Sequence, residues 1–459
     1  MTGTHAAEQA EPAGPPAGSG AADLVDRVLG ITPGDELDRL RAARAQAREH
    51  TQRSYQVLFE PVDVTAVSVI ERFAVAAFTV TLHLRTGAPG AVRALAAHYT
   101  GSLQHLEPGL AGAVITRAEA ARARGPYGAY AEPGLAQEST TGPVYRIEAD
   151  PAADTSARVR AGLEHAHLTF RPREAGPADL QRLLDAGWST DGIVTLSQLI
   201  SFLAYQVRLV HGLSYLGGAG GSGAPDHGGG LDGVTAPQGA SGATKGAKVD
   251  AADTAGHSGG DRVRTHPGGT GPTAFTRDQL GWLPWLAPLT ADDLTERHHH
   301  GLVDAARARS EYFMLLARDP EALGARTRTD KDIFHNTDGG GLPRAERELA
   351  ATVASRVNGC VFCASVHARF AAHYGKDVDA VQRLLDEGTD ADLGPRWNVL
   401  TAAAAALTRT PADFGGVHLE SLRAAGLIDA EIVDLVSATA FFNWANRLML
   451  SLGQPALPA

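Results

Sequence analysis

Cysteine is almost absent from this sequence, and positive charge is scarcer than negative charge. Only two of the 459 residues are cysteine, which excludes a fold held together by a framework of disulfides. The 52 aspartate and glutamate residues outnumber the 41 lysine and arginine residues, for a formal net charge of −11. Since no basic excess exists to neutralise phosphates, we do not expect nucleic acid as a partner.

Long apolar runs and a leader of the secretory type are also lacking. The most apolar stretches, such as 73–80 and 399–407, are far shorter than the roughly 20 residues that span a bilayer. The first twenty residues contain neither a basic n-region nor an apolar h-region. We therefore expect a cytoplasmic protein that is neither exported nor bound to a membrane.

Convincing alternation of apolar and polar residues is rare, so the sequence predicts an all-α fold. Apolar residues follow helical spacing in segments such as 67–84 and 187–216. In the second half we predict helices at about 291–318, 343–357, 360–374, 377–387, 395–408 and 429–451. Only Val144–Ile147 looks like a strand.

Composition divides the chain into four parts. Residues 1–22 are rich in Ala, Pro and Gly and predict a disordered tail. Residues 217–272 contain 18 of the 52 glycines and predict a flexible linker. The linker separates helical domains at 23–216 and 273–459, which we expect to fold independently and without a fixed relative orientation.

Both cysteines belong to one short motif. Cys360, Cys363 and His367 follow the i, i+3, i+7 spacing that places side chains on one face of a helix. A thiolate is the reactive form of cysteine, and a helix N-terminus or a nearby histidine lowers a thiol's pKa. This spacing therefore suits thiol redox chemistry.

An acidic residue precedes the motif at a matching distance. Glu348 lies 11 residues before Gly359, and His367 lies eight residues after it. If the chain turns back at Gly359 as two antiparallel helices, the two side chains come within about 5 Å along the axis. A chain from carboxylate to imidazole to thiol is then possible.

Three other readings of these residues stay open. The cysteines could be small buried apolar residues. Zinc could bind Cys360, Cys363 and His367, although a tetrahedral site needs a fourth ligand. Glu348 could be an acid favoured by the helix dipole in a first turn.

The two halves also show a weak internal repeat. Gly187, Ile193 and Arg208 match Gly426, Ile432 and Arg447 at a constant offset of 239. In the same comparison Glu71 falls near Glu348, and the two cysteine positions are taken by His83 and Thr86. The N-terminal half thus reads as a degenerate copy without the thiols.

Glu348, Cys360, Cys363 and His367 resemble the E-x11-C-x-x-C-x3-H motif of the alkylhydroperoxidase D-like, carboxymuconolactone decarboxylase-like family. The resemblance covers 273–459 strongly and 23–216 weakly, and it implies an antioxidant enzyme of the peroxiredoxin type that needs no cofactor. In that enzyme Cys363 attacks a small hydroperoxide, Cys360 resolves the product to a disulfide, and His367 with Glu348 relays the proton. A dithiol protein is the implied reductant and a homo-oligomer the implied assembly.

The sequence departs from that family at one position and leaves two rival functions. Phe362 precedes the second cysteine, where the best-known members carry a histidine. One rival is a thiol redox sensor or scaffold without turnover. The other is a lyase of the carboxymuconolactone decarboxylase type, although such lyases do not use a cysteine pair.

Overall fold

The computed structural model describes residues 23–148, 155–217, 262–267, 269–336 and 340–458. Helices dominate these residues, so the all-α prediction is confirmed. The predicted disordered tail lies outside the described residues, as does most of the predicted linker.

The first half contains nine α-helices within the described residues. They are α1 Leu24–Leu29, α2 Glu36–Ala42, α3 Ala45–Phe59, α4 Val69–Leu82, α5 Gly90–Leu106, α6 Pro108–Ala120, α7 Ala157–Ala166, α8 Pro177–Asp185 and α9 Thr190–Leu216. Val144–Ile147 is not a strand. That prediction was wrong because these residues contact side chains and do not pair with a strand. The Tyr145 ring stacks on His167, and the Ile147 N–H donates to the Glu164 carboxylate.

The described residues of the second half form nine α-helices and two short strands. They are β1 Gly281–Pro284, α10 Glu296–Leu302, α11 Glu311–Leu316, α12 Pro320–His335, α13 Arg344–Asn358, α14 Val361–Gly375, α15 Val378–Glu387, α16 Pro395–Thr408, α17 Gly416–Ala424, α18 Asp429–Leu452 and β2 Gly453–Ala456. The strands pair antiparallel, Gly281 opposite Ala456.

Several helix predictions in this half need correction. The single helix expected over 291–318 is broken into α10, a 3₁₀ turn and α11, because Asp304 caps a new turn by accepting from the Ala306 N–H. Helix α12 was missed, since its sequence is rich in Thr, Arg and Asp. Those polar residues are nevertheless buried: Thr327 and Thr329 have no exposed surface.

The long helices α9 and α18 pack against each other at the centre of the protein. Helix α9 is long and apolar enough to cross a membrane by length and composition, but its apolar window is completely buried. Trp444 on α18 donates its indole N–H to Gln198 on α9 over 3.1 Å. The helix predicted over 187–216 is therefore a core helix, although its apolar stretch is longer than we expected of any segment from the sequence.

The two halves share one hydrophobic core. One large cluster contains buried residues of both halves, and helix α3 lies against α12. Arg44 and Asp434 form an ion pair of 2.7 Å across the boundary. The expectation that the halves have no fixed relative orientation is therefore wrong for the described residues.

The helices of the two halves follow one another in a similar order. Helices α3 to α9 of the first half can be paired in order with α12 to α18 of the second half, and each series ends in a long central helix. Arg208 and Arg447, at matching positions, each donate to the opposite half: Arg208 to the carbonyl oxygens of residues 407–409 and Arg447 to Thr169. An internal repeat would give this order, and the repeat itself stays a prediction.

Candidate functional site

The turn between α13 and α14 brings the motif together. Gly359 ends α13 in a left-handed conformation (φ 82°, ψ 21°), which glycine adopts without the steric cost of a Cβ. A side chain there would also lie about 3.1 Å from Arg173. The chain can therefore reverse at this point, and α14 runs back along α13.

Glu348 and His367 meet across the two antiparallel helices. The Glu348 Oε2 lies 2.5 Å from Nδ1 of His367, so the contact predicted from the spacing is confirmed. Glu348 is completely buried, whereas His367 keeps 16% of its side-chain surface exposed. Because the carboxylate holds Nδ1, the other ring nitrogen, Nε2, is left for chemistry.

A second partner of Glu348 was missed in the sequence. Arg344 donates its Nε–H to Glu348 Oε1 over 2.5 Å, from four residues earlier on α13. Burial raises the pKa of the Glu348 carboxyl, but His367 and Arg344 together outweigh burial, and the pKa lies below its ordinary value. Glu348 is thus a carboxylate at neutral pH. The i, i+4 spacing of Arg344 and Glu348 on one helix is the sequence feature that predicts this ion pair.

The two thiols are adjacent and have different surroundings. Both cysteines are free, and their sulfurs lie 2.8 Å apart with Cys360 as donor. Cys360 precedes the first residue of α14, and its sulfur accepts from the Cys363 N–H over 3.4 Å. The helix therefore begins at Val361, one residue later than predicted.

Burial dominates the pKa of the first thiol, Cys360. Burial, the contact with Cys363 and the charge of that neighbour raise the pKa of Cys360 well above its ordinary value, and the backbone N–H of Cys363 only partly opposes this. Cys360 thus stays protonated, although a position at a helix N-terminus by itself lowers the pKa of a thiol. A protonated Cys360 can donate its hydrogen to the Cys363 sulfur.

One cavity of about 670 Å³ opens onto Cys363. Glu348 and His367 line it, whereas Cys360 does not. Much of the wall is aromatic: Trp282, Tyr312, Phe313, Phe334, Phe362, Phe370, Phe441 and Phe442. A volume of this size suits an organic ligand, and only one of the two thiols faces it.

Metal ligands do not cluster among the described residues of the site. Within the described ranges, no three side chains of His, Cys, Asp or Glu come close enough to share an ion. The zinc reading of Cys360, Cys363 and His367 therefore gains no support from the geometry.

Comparison with known proteins identifies one segment. Residues 320–406 match the model of the carboxymuconolactone decarboxylase family, so the resemblance read from the motif is confirmed there. The segment runs from α12 to α16 and contains all four motif residues. The N-terminal half lies outside the match, and no curated protein matches the chain.

Proposed function

We propose, from the match of residues 320–406 to the carboxymuconolactone decarboxylase family, that this protein is a dithiol peroxidase that reduces organic hydroperoxides. The family includes enzymes. One observation carries the proposal: two reduced sulfurs lie 2.8 Å apart, and only Cys363 faces a cavity that a Glu–His pair also lines.

Cys363 is the attacking thiol in this proposal. Its thiolate attacks the outer oxygen of the hydroperoxide, the O–O bond breaks, and the products are an alcohol and Cys363 sulfenic acid. The Cys360 thiol then displaces water from the sulfenic acid and forms the Cys360–Cys363 disulfide. Cys360 is buried outside the cavity and its pKa is raised. It is therefore better suited to resolving the sulfenic acid than to attacking the hydroperoxide.

His367 and Glu348 supply the proton path. His367 lies one helical turn after Cys363, so its free Nε2 is placed on the same face of α14 as the thiol. The imidazole takes the thiol proton and returns it to the departing alkoxide, while Glu348 stabilises the imidazolium through Nδ1.

The cavity favours an organic hydroperoxide over hydrogen peroxide. Its volume of about 670 Å³ far exceeds what a two-oxygen molecule fills. Phe362 contributes an apolar side chain to the wall, where the best-known family members have a histidine. Phe362 therefore removes one proton-transferring side chain from the site and makes the cavity wall that faces the substrate more apolar.

An external dithiol completes the cycle by thiol–disulfide exchange, which returns both cysteines to the reduced form. The N-terminal half takes no direct part in this chemistry. His83 and Thr86 stand where its thiols would be, and neither residue can form a disulfide.

Steady-state turnover tests the proposal. We expect the full chain to consume cumene hydroperoxide catalytically when dihydrolipoamide is the reductant. A redox sensor would consume about one equivalent and stop. A lyase would consume none, and either result would contradict the proposed function.

Cysteine variants test the order of the roles. Cys363→Ser is expected to abolish reaction with peroxide, because the only thiol that faces the cavity is lost. Cys360→Ser is expected to react once and to stop at a sulfenic acid that dimedone traps, visible by mass spectrometry. The opposite pattern would exchange the two roles.

A further inference from the structure

The cavity wall contains a buried arginine that no described residue neutralises. Arg326 on α12 lines the cavity together with Cys363, and only 5% of its surface is exposed. Its guanidinium lies over the Phe441 ring, 5.0 Å from the ring centroid. The side chain is thus held in position by an aromatic face.

Arg326 makes no hydrogen bond or ion pair within the part of the chain that the structure describes. Its Nε is shielded from solvent and has no partner. The two terminal nitrogens are not shielded in this way and retain access to the cavity. Buried arginines elsewhere behave differently: Arg208 and Arg347 donate to carbonyl oxygens, and Arg356 pairs with Glu138.

Neighbouring charges do not supply the missing anion. Glu311 and Asp330 also line the cavity, but neither forms an ion pair with Arg326. The third acid, Glu348, is already bound by Arg344 and His367. The Tyr312 hydroxyl on the same wall is buried and has no hydrogen-bond partner among the described residues. This wall therefore combines a free cation with a second unsatisfied polar group.

We infer that the cavity binds a hydroperoxide that also carries a carboxylate on an apolar body, with Arg326 receiving the carboxylate. The inference rests on the proposed function for its peroxide group. A guanidinium held over aromatic rings makes no hydrogen bond to them, so its terminal N–H groups remain available for the two oxygens of a carboxylate. The aromatic wall accommodates the apolar body between the carboxylate and the peroxide.

Two probes of nearly equal shape test this inference. Cumene hydroperoxide is neutral, and its 4-carboxy derivative adds only the anion. We expect the wild-type kcat/KM to be about 10- to 100-fold higher for the carboxylate probe, as for a charge-assisted hydrogen bond. Arg326→Met should reduce this ratio to near one, and Arg326→Lys should retain part of it.

Arg328→Met is the matched control, because it removes a cation from the same helix outside the cavity. This variant should keep the wild-type ratio. The ratio of the two kcat/KM values is measured on one preparation of each variant, so it does not depend on the fraction of that preparation that is folded. Equal kcat/KM for the two probes in the wild type, or a ratio that Arg326→Met leaves unchanged, would overturn the inference.

Binding without peroxide separates this inference from the proposed function. Calorimetry should show that 4-isopropylbenzoate binds the full chain more tightly than 4-isopropylbenzyl alcohol, and that Arg326→Met removes the difference. If neither hydroperoxide is consumed but this difference is observed, the peroxidase proposal fails and the carboxylate site stands. If both hydroperoxides are consumed and no difference is observed, the carboxylate site fails alone.

Discussion

Glu348 joins the stability of the site to its chemistry. The carboxylate is buried and bound on both oxygens, by Arg344 and by His367. Each of these hydrogen bonds involves charged groups, which stabilise a fold more than neutral ones do. A substitution at Glu348 should thus change both the stability of the protein and the rate of its reaction.

We expect Glu348→Gln to lower the free energy of unfolding by about 1.5–3 kcal/mol at neutral pH, because a hydrogen-bonded buried charge is lost. The folded-state pKa of Glu348 lies below its ordinary value, so its contribution is present above the ordinary carboxyl pKa and disappears as pH falls through the folded pKa. The difference between wild type and variant should therefore vanish in acid. Urea unfolding at several pH values measures it, and a difference independent of pH would contradict this assignment.

The same substitution should slow the first oxidation of Cys363 by about 10²- to 10⁴-fold, as deletion of a general base does in other enzymes. His367→Ala should have a similar effect. Rapid-mixing measurements of thiol oxidation against pH test this, and a pH–rate profile that neither variant moves would remove both residues from the proton path.

At the scale of the helices, the close approach of α9 and α18 depends on a glycine. A methyl group added at Gly212 would lie 2.5 Å from Val436 Cγ1 on the opposite helix. Real carbon atoms do not approach so closely, so one helix would have to shift. Gly212 therefore sets how tightly the two central helices pack.

Gly212→Ala should destabilise the protein by about 1–2 kcal/mol, since overpacking outweighs the gain in helix propensity. Gly101→Ala is the matched control: Gly101 lies in helix α5 with nothing near its missing Cβ. That variant should stabilise the protein by about 0.5–1 kcal/mol. Thermal unfolding compares the two, and equal shifts of the melting temperature would show that Gly212 has no packing role.

Sequence patterns predicted some elements well and missed others for physical reasons. The α13–α14 pair was predictable because Gly359 marks the turn and the motif spacing follows the helix period. Helix α12 was missed because its buried face includes threonines and Asp332, which accepts from the Ala47 N–H in the other half. The strands were missed because each has only four residues.

The site could be predicted only in part. The contact between Glu348 and His367 follows from counting residues on each side of one turn. The cavity and Arg326 could not be found in this way, because the wall is assembled from segments as distant as 279–282 and 441–449. The raised pKa of Cys360 depends on burial, which the local sequence does not report.

At the scale of the whole molecule, the N-terminal half covers the thiol turn. Arg173 donates to the Val357 carbonyl oxygen over 3.1 Å, and Glu138 pairs with Arg356. Deeper in the core, Asn358 donates to Asn443, which accepts from Arg447, and Arg447 reaches Thr169. The motif is thus supported from both halves.

Because the core is shared, we expect the two halves to unfold in one cooperative step. Hydrogen exchange in increasing denaturant should give amides of α4 and α13 the same free energy of opening. Protection that persists in α13 and α18 after α4 and α9 have exchanged would instead show two independent domains.

If Cys360 and Cys363 reduce peroxide, their oxidation state must change when the protein meets a hydroperoxide. The fully reduced protein is treated with one equivalent of an organic hydroperoxide. The mass of the peptide that contains Cys360 and Cys363 is then measured by mass spectrometry. We expect this peptide to lose two hydrogens and to regain them when a dithiol is added. A peptide whose mass is unchanged by the hydroperoxide would contradict the claim that this pair is a peroxide-reducing dithiol.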